Sequence, residues 1–418
     1  MSSTSIPQRV RVLVLGGGIH GVGVLHDLAS RGWKDVHLVE KDVLGHGTSS
    51  RSTKLIHGGL RYLRRVRDFG LVSEALHERR LLINLAPDIV RPIELIYPIM
   101  RKGGMPGFMV KMGLKLYDTL AGRYRLERHR RLSPAEVKEK APNLSMEPFS
   151  KFYSFWDGQT DDLALVQRVA ASAVKLGASF TEHCRAENID QDEDGWRVTV
   201  RTNDGVIHVI SARYVVNAVG PWANELMERS AIVPTHRAIN DKGSHLLMGD
   251  MGLKCGLFFE SPDDGRIFFL LPWLGYTLLG TTESIYQGNL DRLQVDQEET
   301  RYLLERVNRY LTTPLREDHV IDRFAGLRWL AMERGQGISS TTRSHVIGER
   351  AGSKRGLMLT IYGGKLTTYR TLSREIGDRI IQHFGEQRES RTHEAEFWVG
   401  PGDVRNAPGP LGRWKIET

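Results

Sequence analysis

Short apolar runs that end in glycine set the rhythm of this chain. Val10 to Leu15 (VRVLVL) is rich in β-branched residues, as expected for a strand buried on both faces. Glycines follow at once. Ile19 to Arg31 then has helical character, and Val36 to Val39 reads as a second strand ending at Glu40. The design returns twice. Tyr214 to Val219 stops at Gly220-Pro221-Trp222, and Gly356 to Tyr362 stops at Gly363-Gly364, with a helix expected from Lys365 onwards. Between these runs, residues 236–321 alternate apolar and polar positions, as in Arg266 to Pro272 and Tyr276 to Gly280, which predicts an antiparallel sheet. The fold class that follows is α/β: a Rossmann-like unit interleaved with an antiparallel-sheet α+β unit.

A chain of 418 residues is too long for one compact core, which agrees with two units. No internal repeat is evident. The segments 1–90, 155–235 and 322–385 are expected to build the Rossmann-like unit, and 91–154 with 236–321 the second. Residues 386–418, ending in GPGDVRNAPGPLGRWKIET, read as a linker or unstructured tail.

The first glycine cluster carries chemistry. Gly16-Gly17-Gly18-Ile19-His20-Gly21 satisfies G-x-G-x-x-G between strand and helix, and Glu40 closes the next strand. In this βαβ unit glycines let the backbone approach a pyrophosphate. The helix N-terminus faces the phosphates, and the acid accepts ribose hydroxyls. Spacing alone does not separate FAD from NAD. The next block does: GTSSRSTKLIHGGLRYL (47–63) is a run of hydroxyls, a Lys and a His. A flavin enzyme can use it along the ribityl and diphosphate, carrying His57 towards the isoalloxazine.

Charge and cysteine content narrow the partners. Lys and Arg total 58 against 50 acids, a net charge of +8, which favours anionic ligands: phosphorylated substrates, nucleotides or acidic lipid. No nucleic-acid motif accompanies the charge, so no nucleic-acid partner is expected. Cys184 and Cys255 lack metal-ligand spacing; no metal is expected, and the default compartment is cytoplasmic. The opening residues do not form a signal peptide, and no apolar stretch of about 18 residues suggests a transmembrane helix. Membrane contact would be peripheral. Residues 101–131 offer a means: nine Lys or Arg face two acids, and Phe108, Met112, Leu116 and Leu120 recur every four positions. Such a segment can lie on an anionic bilayer interface or pack as an ordinary helix.

Taken together, GGGIHGVG (16–23), TSSRSTKLIHGGLRYL (48–63), LVSEALHER (71–79), VVNAVGPWA (215–223), KGSH (242–245), LPWLGYTLLGTTE (271–283), FAGLRWL (324–330) and YGGKLTTYR (362–370) resemble the FAD-dependent glycerol-3-phosphate dehydrogenases, within the D-amino-acid-oxidase-like flavoproteins. His20, Glu283 and Trp329 depart from that family's usual Asn, Asp and Pro. Family members also continue into a helical C-terminal domain, so this chain is expected to lack one.

The resemblance implies FAD as cofactor. It assigns to the cofactor Gly16, Gly18, Ile19, His20, Gly21, Glu40, Lys41, Thr48, Ser49, Ser50, Thr53, Lys54, Leu55, His57, Gly58, Gly59, Ala218, Gly220, Trp222, Gly363, Gly364, Lys365, Leu366 and Thr367. It makes Arg328 and Arg343 the main ligands of a substrate phosphate, with Lys365 serving flavin or substrate and Thr281 and Tyr62 nearby. It also implies oxidation of sn-glycerol 3-phosphate, a quinone acceptor and attachment to the cytoplasmic face of the inner membrane. Homodimerisation is left open.

Oxidising a secondary alcohol needs a base, a hydride path and anchors for the charged end. His245 and His57 are the base candidates, since imidazole titrates near neutrality; His245 is favoured as base and His57 as flavin contact, with Arg328 completing the catalytic set. Two other readings stay open: an oxidase or dehydrogenase of a 2-hydroxy acid or amine, whose carboxylate the arginines would hold, and a non-catalytic FAD-binding module.

Overall fold

Parallel strands with buried, near-continuous apolar sequences need cover on both faces, and the computed structural model, which describes residues 5–332 and 344–394, provides it. The first sheet runs in the order Val346–Ala351, Leu357–Tyr362, Ile207–Asn217, Arg9–Leu15, Val36–Val39, Ser179–Thr181. Arg9–Leu15 sits at its centre, parallel to both neighbours, so the turn after Leu15 emerges where the strand order reverses. Helices Ile19–Ser30, Asp162–Lys175 and Tyr369–Phe384 cover one face through Val22, Leu25, Val169 and Leu372. Strands Cys184–Asp192 and Gly195–Thr202 extend from Ile207–Asn217 and bury Trp196 and Val198 on the other.

The second sheet is mainly antiparallel: Ser284–Ile285, Ala238–Gly249, Tyr276–Gly280, Ile267–Trp273, Gly256–Glu260, Val90–Met100, Phe149–Thr160 and Leu55–Ile56, in that order. The alternating segments at 267–273 and 276–280 are therefore strands, as expected. Three strands depart from the sequence reading. Val320–Ala331 pairs with Ala238–Gly249 along its length, so residues 322–331 belong to the second sheet and not the first. Phe149–Thr160 runs through the expected boundary at 155, and Leu55–Ile56 pairs with it although 1–90 is expected in the first unit. In each case the strand's partner is set by contacts distant in sequence, which the local pattern does not report. The last helix begins at Tyr369, not Lys365: Gly363 and Gly364 take φ +69° and +94°, and Lys365 to Thr368 form a turn.

The basic segment forms a helix over Gly107–Ala121. Val110, Leu114, Tyr117 and Ala121 are its buried face, against Leu76 and Phe155. Phe108 and Met112, read as one apolar stripe with Leu116 and Leu120, point outward at 68% and 67% exposure. The helix thus has one apolar face packed and a second in solvent. No described helix is long and apolar enough to cross a membrane. Arg343 and residues 395–418 lie outside the described residues.

The two sheets meet at a buried ion pair. Lys54 Nζ lies 2.7 Å from Asp162 Oδ1 and 2.6 Å from the Ser50 carbonyl, with both charged side chains fully buried. Asp162 also accepts from the Ser52 amide and hydroxyl at the start of its helix. Removing one partner of a buried pair strands the other charge. Lys54→Met is expected to cost about 3–5 kcal/mol in chemical denaturation, with Lys54→Met/Asp162→Leu recovering part of the loss; a change under about 1 kcal/mol would show that the pair carries little.

Candidate active site

One cavity follows the C-terminal ends of the central parallel strands and continues to the face of the second sheet. At its first end the Gly16–Gly18 turn packs tightly. Gly16 has φ +99°, and a Cβ there would lie 2.6 Å from the Ala218 carbonyl oxygen. A Cβ on Gly21 would lie 1.8 Å from the Gly16 oxygen. Only glycine allows this turn and helix to meet. Ser49 Oγ accepts the Ile19 amide at 2.9 Å, fixing the hydroxyl-rich segment against the helix N-terminus. Glu40 accepts the Gly17 and Asp42 amides. Burial holds its carboxyl above the ordinary value, with those two amides opposing. Lys41 lies over the Trp222 ring and pairs with Asp291, which also accepts the Trp222 indole N–H.

At the far end, strand alternation puts His245, Gly243 and Asp241 on one face of Ala238–Gly249, opposite Phe324, Gly326 and Arg328. His245 stacks on Phe324 with ring centroids 4.8 Å apart, and its Nε2 lies 2.9 Å from Thr53 Oγ1. Burial, with Lys54 and Arg328 adding, holds this imidazole well below its ordinary pKa. Its Nδ1 is buried without a partner. His57 is held down to about 4, again chiefly by burial, and its amide donates to Thr367 Oγ1. Both histidines are therefore neutral at pH 7, the form able to accept a proton.

Arg328 pairs through Nε with Asp241 at 3.0 Å, while its Nη2 is buried and unpartnered. A Cβ at Gly243 would lie 2.5 Å from Thr281 Oγ1 and 3.4 Å from that Nη2, so glycine leaves room for both. Lys365 Nζ sits 4.1 Å from the centroid of the Tyr62 ring, and burial lowers its pKa to about 8.

Residues 11–370 match the FAD dependent oxidoreductase family. The chain belongs to that family. It is 35% identical over 406 residues to a D-erythritol 1-phosphate dehydrogenase of Brucella abortus, covering 96% of this chain and 79% of the relative. It is also 35% identical over 417 residues to a glycerol-3-phosphate dehydrogenase of Pseudomonas aeruginosa, covering 98% and 77%. A solved glycerol-3-phosphate dehydrogenase from Bacillus halodurans, complexed with FAD, superimposes with a TM-score of 0.74 at 26% identity, covering 93% of this chain and 68% of that one. The resemblance to the FAD-dependent glycerol-3-phosphate dehydrogenases holds, and FAD is the cofactor.

The cavity of this flavoprotein suits FAD on its own geometry: the glycine cradle, the buried Glu40 and a helix N-terminus line one continuous space. Of the residues the sequence assigns to FAD, Gly16, Gly18, Ile19, His20, Glu40, Lys41, Thr48, Ser49, Thr53, Leu55 and His57 line it. So do Ala218, Gly220, Trp222, Gly363, Gly364, Lys365, Leu366 and Thr367. The substrate and base candidates His245, Arg328, Thr281 and Tyr62 line the same space.

Five assigned residues stand behind the wall. Lys54 is spent on Asp162, and the Ser50 hydroxyl is buried. Gly21 packs on Gly16, the Gly58 amide donates to Tyr117 and Asp157, and Gly59, at φ +81°, turns the chain into Leu60–Arg64. Asp157 Oδ1 gathers Tyr117 Oη, Arg79 Nη1 and that amide, which braces the loop bearing His57.

Three residues escape the sequence reading. Arg51 lines the cavity with a buried, unpartnered Nε. Arg61 lies close enough to His57, Lys365 and Asp241 to bias all three titrations. Asp241 faces Arg328. The signal for Asp241 is the strand period, two residues before Gly243 and four before His245. The two arginines are hidden in a chain with many.

Lys365 is charged below about pH 8 and neutral above it. The KM for an anionic substrate that it helps to hold is expected to rise as pH increases through about 8. In Lys365→Arg that limb should move beyond the measurable range; a KM flat from pH 7 to about 9.5 in the wild type would separate Lys365 from substrate binding.

Proposed function

We propose that this protein oxidises the secondary alcohol of a small phosphorylated polyol, with sn-glycerol 3-phosphate giving dihydroxyacetone phosphate as the simplest member of the class. The observation that carries this reading is Arg328: its unpartnered Nη2 faces the gap at Gly243 beside Thr281, within the wall that holds His245. A guanidinium with open donors is suited to phosphate or an alkoxide-like oxygen. The Brucella and Pseudomonas relatives are named for four-carbon and three-carbon polyol phosphates, which supports the same class.

His245 would accept the hydroxyl proton as neutral imidazole, with Thr53 on Nε2 orienting the ring. Arg328 would hold the oxygen that becomes the carbonyl or the phosphate, with Arg61 and Lys365 adding to the cationic side. FAD, when bound, supplies the acceptor for the hydride at its N5. The alcohol would thus give its proton to His245, and a bound FAD would supply the two-electron acceptor that balances the oxidation. In dye-reduction kinetics His245→Asn is expected to lower kcat by about 10²-fold or more. A loss below tenfold would remove it as base. Reduction by 2-hydroxyglutarate or sarcosine in place of the phosphate ester would favour a carboxylate substrate. Bound flavin that no donor reduces would mark a non-catalytic module.

We further propose that the electrons pass to a membrane quinone at the cytoplasmic face of the inner membrane. The outward face of the Gly107–Ala121 helix presents Phe108, Met109 and Met112 beside Lys111 and Lys115, suited to an anionic bilayer interface. Wild type is expected to float with phosphatidylglycerol liposomes and Lys111→Glu/Lys115→Glu to stay behind; equal flotation would discard this face.

A further inference from the structure

Asp241 is an odd neighbour for a phosphate. Its side chain is 9% exposed, stands on the strand face that carries Gly243 and His245, and pairs with Arg328 just beyond the residues that line the cavity. Arg61, Arg266 and Glu283 are the other charged groups that act on it. If the substrate offered these cations only a phosphate dianion, a fixed carboxylate among them would weaken the attraction and tie up one edge of Arg328. A carboxylate is, however, a pure acceptor with about four lone-pair positions. Arg328 Nε approaches Oδ2, and most of that capacity is left for donors. Hydroxyl groups on a polyol chain are such donors, and bonds from them to an ionised acceptor are strong.

We propose that Asp241 is a specificity-determining residue that accepts hydrogen bonds from substrate hydroxyls beyond the oxidised carbon, so that the preferred substrate is a phosphorylated polyol of four or more carbons. The inference rests on the reading of this cavity as a polyol phosphate site. Arg328 and Asp241 then divide the substrate between them, the cation taking the oxygen that carries negative charge and the carboxylate taking the hydroxyls. Glycerol 3-phosphate, with a single further hydroxyl, satisfies Asp241 least. A buried acceptor left without its donor is what makes a polar site reject the shorter analogue.

The test compares kcat/KM for D-erythritol 1-phosphate and sn-glycerol 3-phosphate in the wild type, Asp241→Asn and Asp241→Ala, with flavin content and visible spectrum reporting the fold. The wild type is expected to favour the tetritol phosphate by about tenfold or more, and Asp241→Ala to bring the ratio towards one, with Asp241→Asn between. Asp241 that merely positions Arg328 would lower both substrates alike, and this outcome overturns the proposal. So does a wild type that prefers glycerol 3-phosphate or does not discriminate, a comparison that stands even if the variants fail to fold. In either case the polyol phosphate reading survives. Flavin reduced by neither phosphate ester would instead defeat that reading, and this inference with it.

Discussion

The Lys54–Asp162 pair is the constraint on which the rest of the site depends. Asp162 opens a helix that covers the first sheet, and Lys54 precedes a short strand of the second. The chain between Gly47 and Leu55 must cross from one sheet to the other while keeping Thr48, Ser49 and Thr53 turned to the cavity. A buried ammonium held by two carboxylate oxygens and the Ser50 carbonyl fixes that crossing. Its neighbours use the same anchor. The ammonium lies 4.8 Å and 5.0 Å from the ring centroids of Trp273 and Phe324, and Phe324 in turn stacks on His245. Thr53, one residue away, bonds to His245 Nε2. A buried pair is poor evidence of net stability, but it can define a unique geometry, and here that geometry joins the two ends of the cavity.

Electrostatics at the reacting end follows from burial. Burial, with nearby cations adding, keeps His57 and His245 unprotonated, whereas Lys365 remains charged at neutral pH despite its lowered pKa. The outcome is a wall with fixed positive charge and neutral bases, which suits the removal of a proton from an anionic alcohol. Asp241 is the exception, pushed up to about 6 by burial with Arg328 opposing, and so still largely ionised at pH 7. Two further buried groupings, Arg79 with Asp157 and Arg370 with Glu78, brace the loops around this wall from behind.

Much of the cofactor end was legible in the sequence, because its chemistry is local. Gly16 to Gly21 and Glu40 lie within one βαβ unit, and the glycines' roles follow from backbone approach alone. The family likeness of 47–63 and 362–370 supplied the remainder. What the sequence hid was long-range. Nothing local separates Lys54, which stands among hydroxyls that do line the cavity, from a phosphate ligand; its partner is more than a hundred residues away. Residues 322–331 are expected in the first unit, yet Val320–Ala331 pairs in the second sheet, where Phe324 meets His245. The Gly107–Ala121 helix has apolar residues over most of its circumference, so periodicity named a stripe without saying which side was buried. Arg51 and Arg61 carried no signal that set them apart from other arginines.

The central claim is that a phosphorylated polyol delivers its hydride into this cavity. It is tested most directly by anaerobic addition of glycerol 3-phosphate or D-erythritol 1-phosphate to the purified holoprotein, following the visible absorption of its FAD. The account predicts that at least one of the two esters bleaches the flavin while free glycerol and erythritol do not. A flavin that stays oxidised with both esters, or that free polyols reduce as readily, would contradict it.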